Sequence, residues 1–533
     1  MGWSRSIVLM AIVLLLVLGN QNAGIGSPIL ASLTSVQLQV YRLYFDDLAD
    51  LRAALAPPGD LDVLGVDLQA RFAALLIDEG NADQLRNRGY RLELDARKTG
   101  QNSLSWSTDY YTYDRMVADL TKLTADYPSI TRLSDLGPTW KAVNGGTNRR
   151  LWAIEITRGA NPKPQVLFDA EQHAREIVTP EIAMRLAKYL LDNYGRDAEA
   201  TYLVDNRDIW IVPMVNPDGH ALVEGGSSLK RKNDNTNLGN CGEPYWGVDL
   251  NRNFPYSWGS AGADSNPCGE TFYGPSSGSE PETQAIMRLI NANSFKFLMD
   301  YHSFGNLVLW PWGYQSGNAG LDLRLAPTGA KLAQLTGRSG STPYTPEQGS
   351  QLYLTSGNLL DWAYANKNVL AFTTEIGSSN DWFDPPYGRV DTLWAENRPP
   401  ALYLLNIADD PDRIYGPEAT EARVSTASVG LTGTITLTAT ISDLGNGGQT
   451  IVGAELFVDS AGANGTGFAM IPVDGAFDSP AETVQATLPA SSLELGRHTL
   501  LIRGHDVAGH WGSLAMVFVR VEGVSTLYFP WIG

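Results

Sequence analysis

The stretch Asp169-Ala170-Glu171-Gln172-His173-Ala174-Arg175-Glu176 constrains this chain more than any other, because it sets an imidazole and a carboxylate three residues apart between two segments of different period. Before it, Pro164-Gln165-Val166-Leu167-Phe168 is an apolar run of strand length; after it, apolar residues recur at helical spacing from Ile177 to Tyr194. The pair therefore falls on a strand-to-helix turn. Open α/β sheets gather their ligands at such turns, outside the carboxyl ends of the strands. Alone the H-x-x-E pair is weak evidence, since glutamate is among the commonest residues.

A metal ion that does chemistry usually keeps three protein ligands and one open position, so a third ligand is needed. The chain has six histidines. His498, His505 and His510 lie in a β-rich carboxy-terminal region, and His220 follows the turn sequence Asn216-Pro217-Asp218-Gly219. His302 remains, at the end of the apolar strand Phe295 to Tyr301, where it would point out from a strand end. Its ordinary reading is a satisfied structural histidine, and only its companions reverse that.

Those companions occur in a fixed order: His173-Ala174-Arg175-Glu176, Asn216-Pro217-Asp218-Gly219, Gly247-Val248-Asp249-Leu250-Asn251-Arg252-Asn253-Phe254, His302-Ser303-Phe304, Tyr353 with Ser356-Gly357 and Asp361-Trp362, and Phe372-Thr373-Thr374-Glu375. From Tyr110 to Ala408 the chain resembles the zinc metallocarboxypeptidases of the carboxypeptidase A and carboxypeptidase T type. The resemblance implies an α/β fold, a mixed sheet with helices on both faces. It further implies one Zn2+ per catalytic domain, held by His173, Glu176 and His302, with Asp249 hydrogen-bonded to His173 to fix its tautomer. Glu375 would take a proton from the activated water and return it to the leaving amine. The implied substrate is a peptide or protein with a free C-terminus. Asn251 and Arg252 would bind that carboxylate, a planar anion that a guanidinium fork matches better than an ammonium does. Tyr353 would fold over bound substrate, and Arg175 matches another arginine of the binding cleft.

Two positions characterise this chain. Leu360 stands at the family position on the floor of the specificity pocket, where an acid selects Lys or Arg, so an apolar or aromatic C-terminal residue is expected. Relatives commonly read R-K-x-R, the last arginine stabilising the oxyanion, but Arg231-Lys232-Asn233 is followed here by Asp234. An acid there would repel developing negative charge. Either Arg175 or Arg231 would have to substitute.

Further segments surround this region. After Arg5, the run Ile7 to Leu18 is too short to span a membrane but suits the core of a secretory signal, giving a leader over 1–31 and an exported, extracellular protein, free or at the cell surface. Residues 32–101 read as a small α/β module: strand Val36 to Phe45, helix Asp47 to Ala56, strand material Leu61 to Ile77, helix Asp83 to Arg88 and strand Tyr90 to Leu94. Such a module is either a propeptide, with Arg97-Lys98 as a processing site, or a permanent accessory. The catalytic region spans 102–408, and Asp409-Asp410-Pro411-Asp412 marks a boundary. Alternating runs over 413–524 argue a β-sandwich of immunoglobulin type, followed by an apolar tail at 525–533. The resemblance implies a disulfide between Cys241 and Cys268; two separate thiols are the alternative. The charge of -19 disfavours binding to nucleic acid or anionic membranes. No span is expected after leader removal, and a monomer is expected. Two rival functions stand beside the peptidase: a zinc amidohydrolase of cell-wall peptides, and a non-catalytic peptide-binding relic.

Overall fold

The computed structural model describes residues 38–523, apart from 57–60, 100–106, 161 and 319. The expected leader and the apolar tail lie outside the described residues.

The amino-terminal segment forms a four-stranded antiparallel sheet in the order β2-β3-β1-β4, with β1 Gln39–Tyr44, β2 Asp62–Asp67, β3 Phe72–Ile77 and β4 Arg91–Leu94. The span Leu61 to Ile77 is a hairpin, because the chain reverses between Asp67 and Phe72 with Arg71 at φ 54°. Helix Leu48–Leu55 is capped by the Asp47 side chain, which accepts from Asp50 N, and helix Glu79–Asn87 starts earlier than expected because Asp78 caps it in the same way.

An eight-stranded mixed sheet follows, built from β5 Thr131–Pro138, β6 Arg150–Ile156, β7 Gln165–Ala170, β8 Asp208–Val212, β9 Phe295–His302, β10 Leu307–Trp310, β11 Thr345–Gln348 and β12 Leu370–Glu375. Its order is β11-β10-β12-β9-β7-β8-β6-β5, and the four central strands, β12, β9, β7 and β8, run parallel. The middle residues of those strands are mostly apolar because both faces are covered. Val166, Phe168, Phe297 and Met299 pack with Ile182, Leu186 and Leu190 of the helix Val178–Asn193 on one side. Leu167 and Leu298 pack with Ile286 and Leu289 of the helix Pro281–Ala292, and with Trp362, on the other. The alternation of these residues is the period of two that a pleated strand imposes.

The remaining chain forms two sheets, of four and five strands, that enclose one core. Strand Thr434–Ser442 shows the reason: Ile435, Leu437, Ala439 and Ile441 face inward while the threonines between them face out. The Asp409 to Asp412 segment is packed rather than extended as a free linker. Ile414 joins the catalytic core, and the Asn406 side chain bonds both backbone groups of Leu514, at 2.8 and 3.0 Å. Among the described residues no helix is long and apolar enough to cross a membrane.

Candidate functional site

Three parallel strands end side by side. In the register of the sheet Ala170 pairs with Tyr301, and His302 pairs with Glu375, so the turn after β7 and the last residues of β9 and β12 open on one place. Glu171 starts the turn at φ 59°, an uncommon value for a residue with a side chain, and its carboxylate is held by His220 Nδ1 at 2.5 Å. His220, which the sequence places after a turn, anchors in the fold the segment that presents His173. Asn216 adds a second anchor by donating to Gln172 O at 3.1 Å.

His173, Glu176 and His302 converge, all buried. His173 Nδ1 lies 2.7 Å from Glu176 Oε1, His302 Nδ1 lies 3.0 Å from Glu176 Oε2, and the two Nδ1 atoms are 3.1 Å apart. Ligands about 2.0–2.1 Å from a tetrahedral ion stand roughly 3.3 Å from one another, so these residues fit a zinc ion with adjustments of a few tenths of an ångström. Among the described residues they are the group of this kind. Burial opposes ionisation of Glu176, but the two imidazoles hold it well below the usual carboxylate range.

Asp249 lies behind His173, 3.3 Å from its Nε2, and accepts two contacts of 2.9 Å from Arg231 Nε and Nη2. Arg231, with His173, offsets the burial of Asp249 and keeps it ionised. Gly247 makes this approach possible: at φ 99° its backbone passes so close to Asn233 that a Cβ would sit 2.0 Å from the carbonyl oxygen. Behind His302 stands Asp300, 2.9 Å from Nε2, a residue the sequence reading missed although D-x-H places both side chains on one face of a strand.

A cavity of about 100 Å³ adjoins these ligands, lined among others by Arg231, Asn251, Arg252, Tyr353, Leu360 and Glu375. Burial pushes Glu375 up to about 8, with Glu176 adding repulsion. Arg252 is oriented through Gly262 O at 3.0 Å and Asn251 O at 2.8 Å. Asn251 Oδ1 accepts from Leu359 N at 2.9 Å, which ties it to the helix Leu359–Lys367 that carries Leu360. Next to Leu360, Asp361 accepts from Gly313 N and Tyr314 N and fixes the adjoining wall.

Two expected residues are elsewhere. Arg175 is fully buried away from that cavity, its Nη1 3.1 Å from Glu270 and its guanidinium over the Phe383 ring. Asp234 does not face the cavity either: its carboxylate is bound by Lys141 and by Trp246 Nε1. An extended segment turns alternate residues to opposite sides, and here Lys230 and Asp234 both reach Trp246 while Arg231 reaches Asp249.

The amino-terminal sheet completes the enclosure. Val63, Leu64, Gly65 and Val66 of β2 line the same cavity, and a Cβ on Gly65 would meet the Phe304 ring at 2.8 Å. Leu64 shares an apolar cluster with Phe304, Trp382 and Phe383, and Tyr353 packs against the core of the amino-terminal sheet. Lys98, of the expected processing pair, lies in a helical turn with its ammonium 4.8 Å from the Trp382 ring centre. The Cys241–Cys268 disulfide is present.

A family model described as zinc carboxypeptidase matches residues 116–399. A zinc carboxypeptidase of Saccharothrix mutabilis subsp. capreolus is 30% identical over 337 residues, covering 59% of this chain and 73% of the relative. Carboxypeptidase A1 of Rattus norvegicus is 27% identical over 399 residues, 70% of this chain and 91% of the relative. The solved carboxypeptidase A from Helicoverpa armigera superposes with a TM-score of 0.57 at 24% identity, over 68% of this chain and 96% of that one, which establishes likeness of fold.

Proposed function

The chain belongs to the zinc carboxypeptidase family and is a hydrolase of the peptidase class, and from that premise we propose that it removes C-terminal residues, preferably apolar or aromatic, from peptides and proteins. The observation that carries this reading is the meeting of a His-Glu-His ligand group, the Glu375 carboxylate and the buried Arg252 around one cavity. Zinc bound to His173, Glu176 and His302 would polarise a carbonyl and bring the pKa of a water towards about 7.

The chain's own residues supply the rest. Arg252 is neutralised by no carboxylate within hydrogen-bond distance among the described residues, and burial lowers its pKa, so an incoming C-terminal carboxylate would be its natural partner. Asn251 holds the Arg252 guanidinium through its backbone carbonyl and the Leu360 helix through its side chain. Leu360 and Thr373 contribute an apolar and an uncharged side chain to the cavity lining, with no acid at position 360 to select a basic end. Glu375 accepts a proton near neutral pH and gives it to the leaving amine. Arg231 faces the cavity in place of the arginine absent at position 234.

We also read residues 32–101 as an inhibitory propeptide. With β2 in place the cavity of about 100 Å³ falls short of the roughly 300–1,000 Å³ of a ligand pocket. Further contacts hold the cover: Asp67 accepts from Ser379 Oγ at 2.5 Å, and Arg52 donates to Gln351 O at 3.1 Å. The apolar run Ile7 to Leu18, read as a leader, and the disulfide support export to an oxidising compartment. The test is hydrolysis of blocked dipeptides ending in Phe, Leu, Lys, Arg or a C-terminal amide, before and after cleavage within 100–106, with and without chelator. Chelator-sensitive release of Phe or Leu that rises on cleavage supports the reading. Hydrolysis of the amide as fast as of the free acid would reject it in favour of a general amidohydrolase.

A further inference from the structure

His302 is held from behind as well as from the ligand side. Its Nδ1 faces Glu176 and His173, whereas Nε2 lies 2.9 Å from Asp300 Oδ2. Asp300 is fully buried on β9, two residues before His302. Gln172, from the turn that carries His173, donates its Nε2–H to the same Oδ2 at 2.9 Å. The arrangement repeats that of His173, whose Nε2 faces Asp249.

A neutral imidazole carries one N–H, so an Nδ1 that binds a metal leaves the proton on Nε2. The amide nitrogen of Asn251 is 3.2 Å from that Nε2, but an amide NH2 can only donate and cannot accept this proton. The Asp300 carboxylate can. Asp300 is also an expensive residue where it stands. Its Oδ1 is buried without a hydrogen-bond partner, and across the parallel pair it faces Asp169, whose two buried oxygens are likewise without one. An apolar residue would fill this strand position at less cost unless the acid served the imidazole.

Resting on the metal-site reading above, we propose that Asp300 is a positioning residue for the second metal-binding histidine. It fixes His302 as the Nε2–H tautomer with Nδ1 turned to the ion and strengthens Nδ1 as a donor, while Gln172 holds the carboxylate in line. The zinc group would thus have a carboxylate behind each of its two imidazoles.

Zinc affinity of the full chain, measured by chelator competition, tests this. Asp300→Ala is expected to bind zinc about 10- to 100-fold more weakly. Asp300→Asn retains an acceptor oxygen and is expected to recover part of the loss, and Asp169→Asn, which alters the same buried surroundings without touching His302, is expected to bind as wild type does. Wild-type affinity in Asp300→Ala, or an equal loss in Asp169→Asn, overturns the proposal. Should Asp300→Ala not fold, the nitrogen-15 histidine spectrum of zinc-loaded wild type decides: a His302 proton on Nε2 supports the assignment and one on Nδ1 overturns it. Wild type that takes up no zinc would sink the functional reading itself, whereas one zinc in both wild type and Asp300→Ala at equal affinity sinks only this inference.

Discussion

Arg231→Ala separates two ways in which one arginine can serve this site. In the first, the guanidinium faces the scissile carbonyl as negative charge grows on its oxygen, and losing such a donor costs about 100- to 1,000-fold in kcat, about 2.7–4 kcal/mol. In the second, Arg231 acts only through Asp249. Its two 2.9 Å contacts keep Asp249 ionised behind His173, and a weakened carboxylate there loosens metal binding by about 10- to 100-fold. Saturating zinc restores the second loss and leaves the first. We expect kcat on a blocked Phe dipeptide, at zinc concentrations that fill the site, to fall about 100-fold or more while KM moves by less than about fivefold. Arg231→Lys keeps the charge but lacks the planar fork that meets Asp249 and the cavity together, so only partial recovery is expected. The converse variant, Asp234→Arg, would set a second cation beside Lys141 and remove the acceptor of Trp246. It is expected to lose about 3 kcal/mol of stability, the low end for breaking a buried pair because Lys141 stays partly exposed, and to gain nothing in kcat. A return of Arg231→Ala to within about threefold of wild-type kcat at saturating zinc refutes the transition-state role.

Three further outcomes can be measured on the same assay. Glu375→Gln is expected to lower turnover by about 100- to 10,000-fold with zinc content unchanged, and near-normal turnover would remove Glu375 as the base. Leu360→Asp puts an unpaired acid in the pocket wall, so the kcat/KM ratio should move towards Lys- and Arg-ended substrates by at least about tenfold; an unchanged ratio shows that position 360 does not set the preference. Burial, and then the Glu270 carboxylate, push Asp62 of the cover up to about 7 against the pull of Arg175, Arg231 and Lys232. Docking therefore favours the protonated acid: its contribution is complete below the ordinary carboxylate range and is lost as pH rises through about 7. Asp62→Asn should gain on wild type as pH rises, its advantage in inhibition growing about 100-fold between pH 5 and pH 8.5, and an advantage that does not change with pH removes Asp62 from the latch.

The parts of the site that lie on regular elements were legible from the chain. His302 and Glu375 end β9 and β12, and the apolar run before each one places its side chain at a strand terminus without reference to the rest of the fold. Asp300 is legible by the same period of two, two residues before His302 on β9. Arg231 and Asp234 were not legible. They sit in an irregular loop held by long-range contacts: Lys232 is tied to the carbonyls of Pro267 and Gly269, and Lys230 to that of Pro244. Which residue of such a run faces the cavity depends on those contacts, and matching position to position across relatives cannot supply it. Arg175 illustrates the same limit, since Glu270, 95 residues later, draws it out of the cavity wall.

The charges around the site also explain why a cover is placed where it is. Glu176, Asp249, Asp300, Arg231 and Arg252 are all buried, and burying a charge is costly unless another group answers it. Asp249 answers Arg231, and the two imidazoles answer Glu176; on the proposed reading Arg252 is answered by the substrate carboxylate. Among the described residues the amino-terminal sheet offers Arg252 no carboxylate within hydrogen-bond distance. It brings Leu64 and Val66 for apolar contact, a glycine at the point of closest approach, Asp67 bonded to Ser379, and a further acid, Asp62, with one oxygen buried and unpartnered. A carboxylate locked bidentate on Arg252 would bind as a product does and would resist release after cleavage. On the proposed propeptide reading, apolar contact, a few hydrogen bonds and one poorly tolerated acid close the cleft while the covalent link makes docking intramolecular, and leave little to hold the cover once that link is cut.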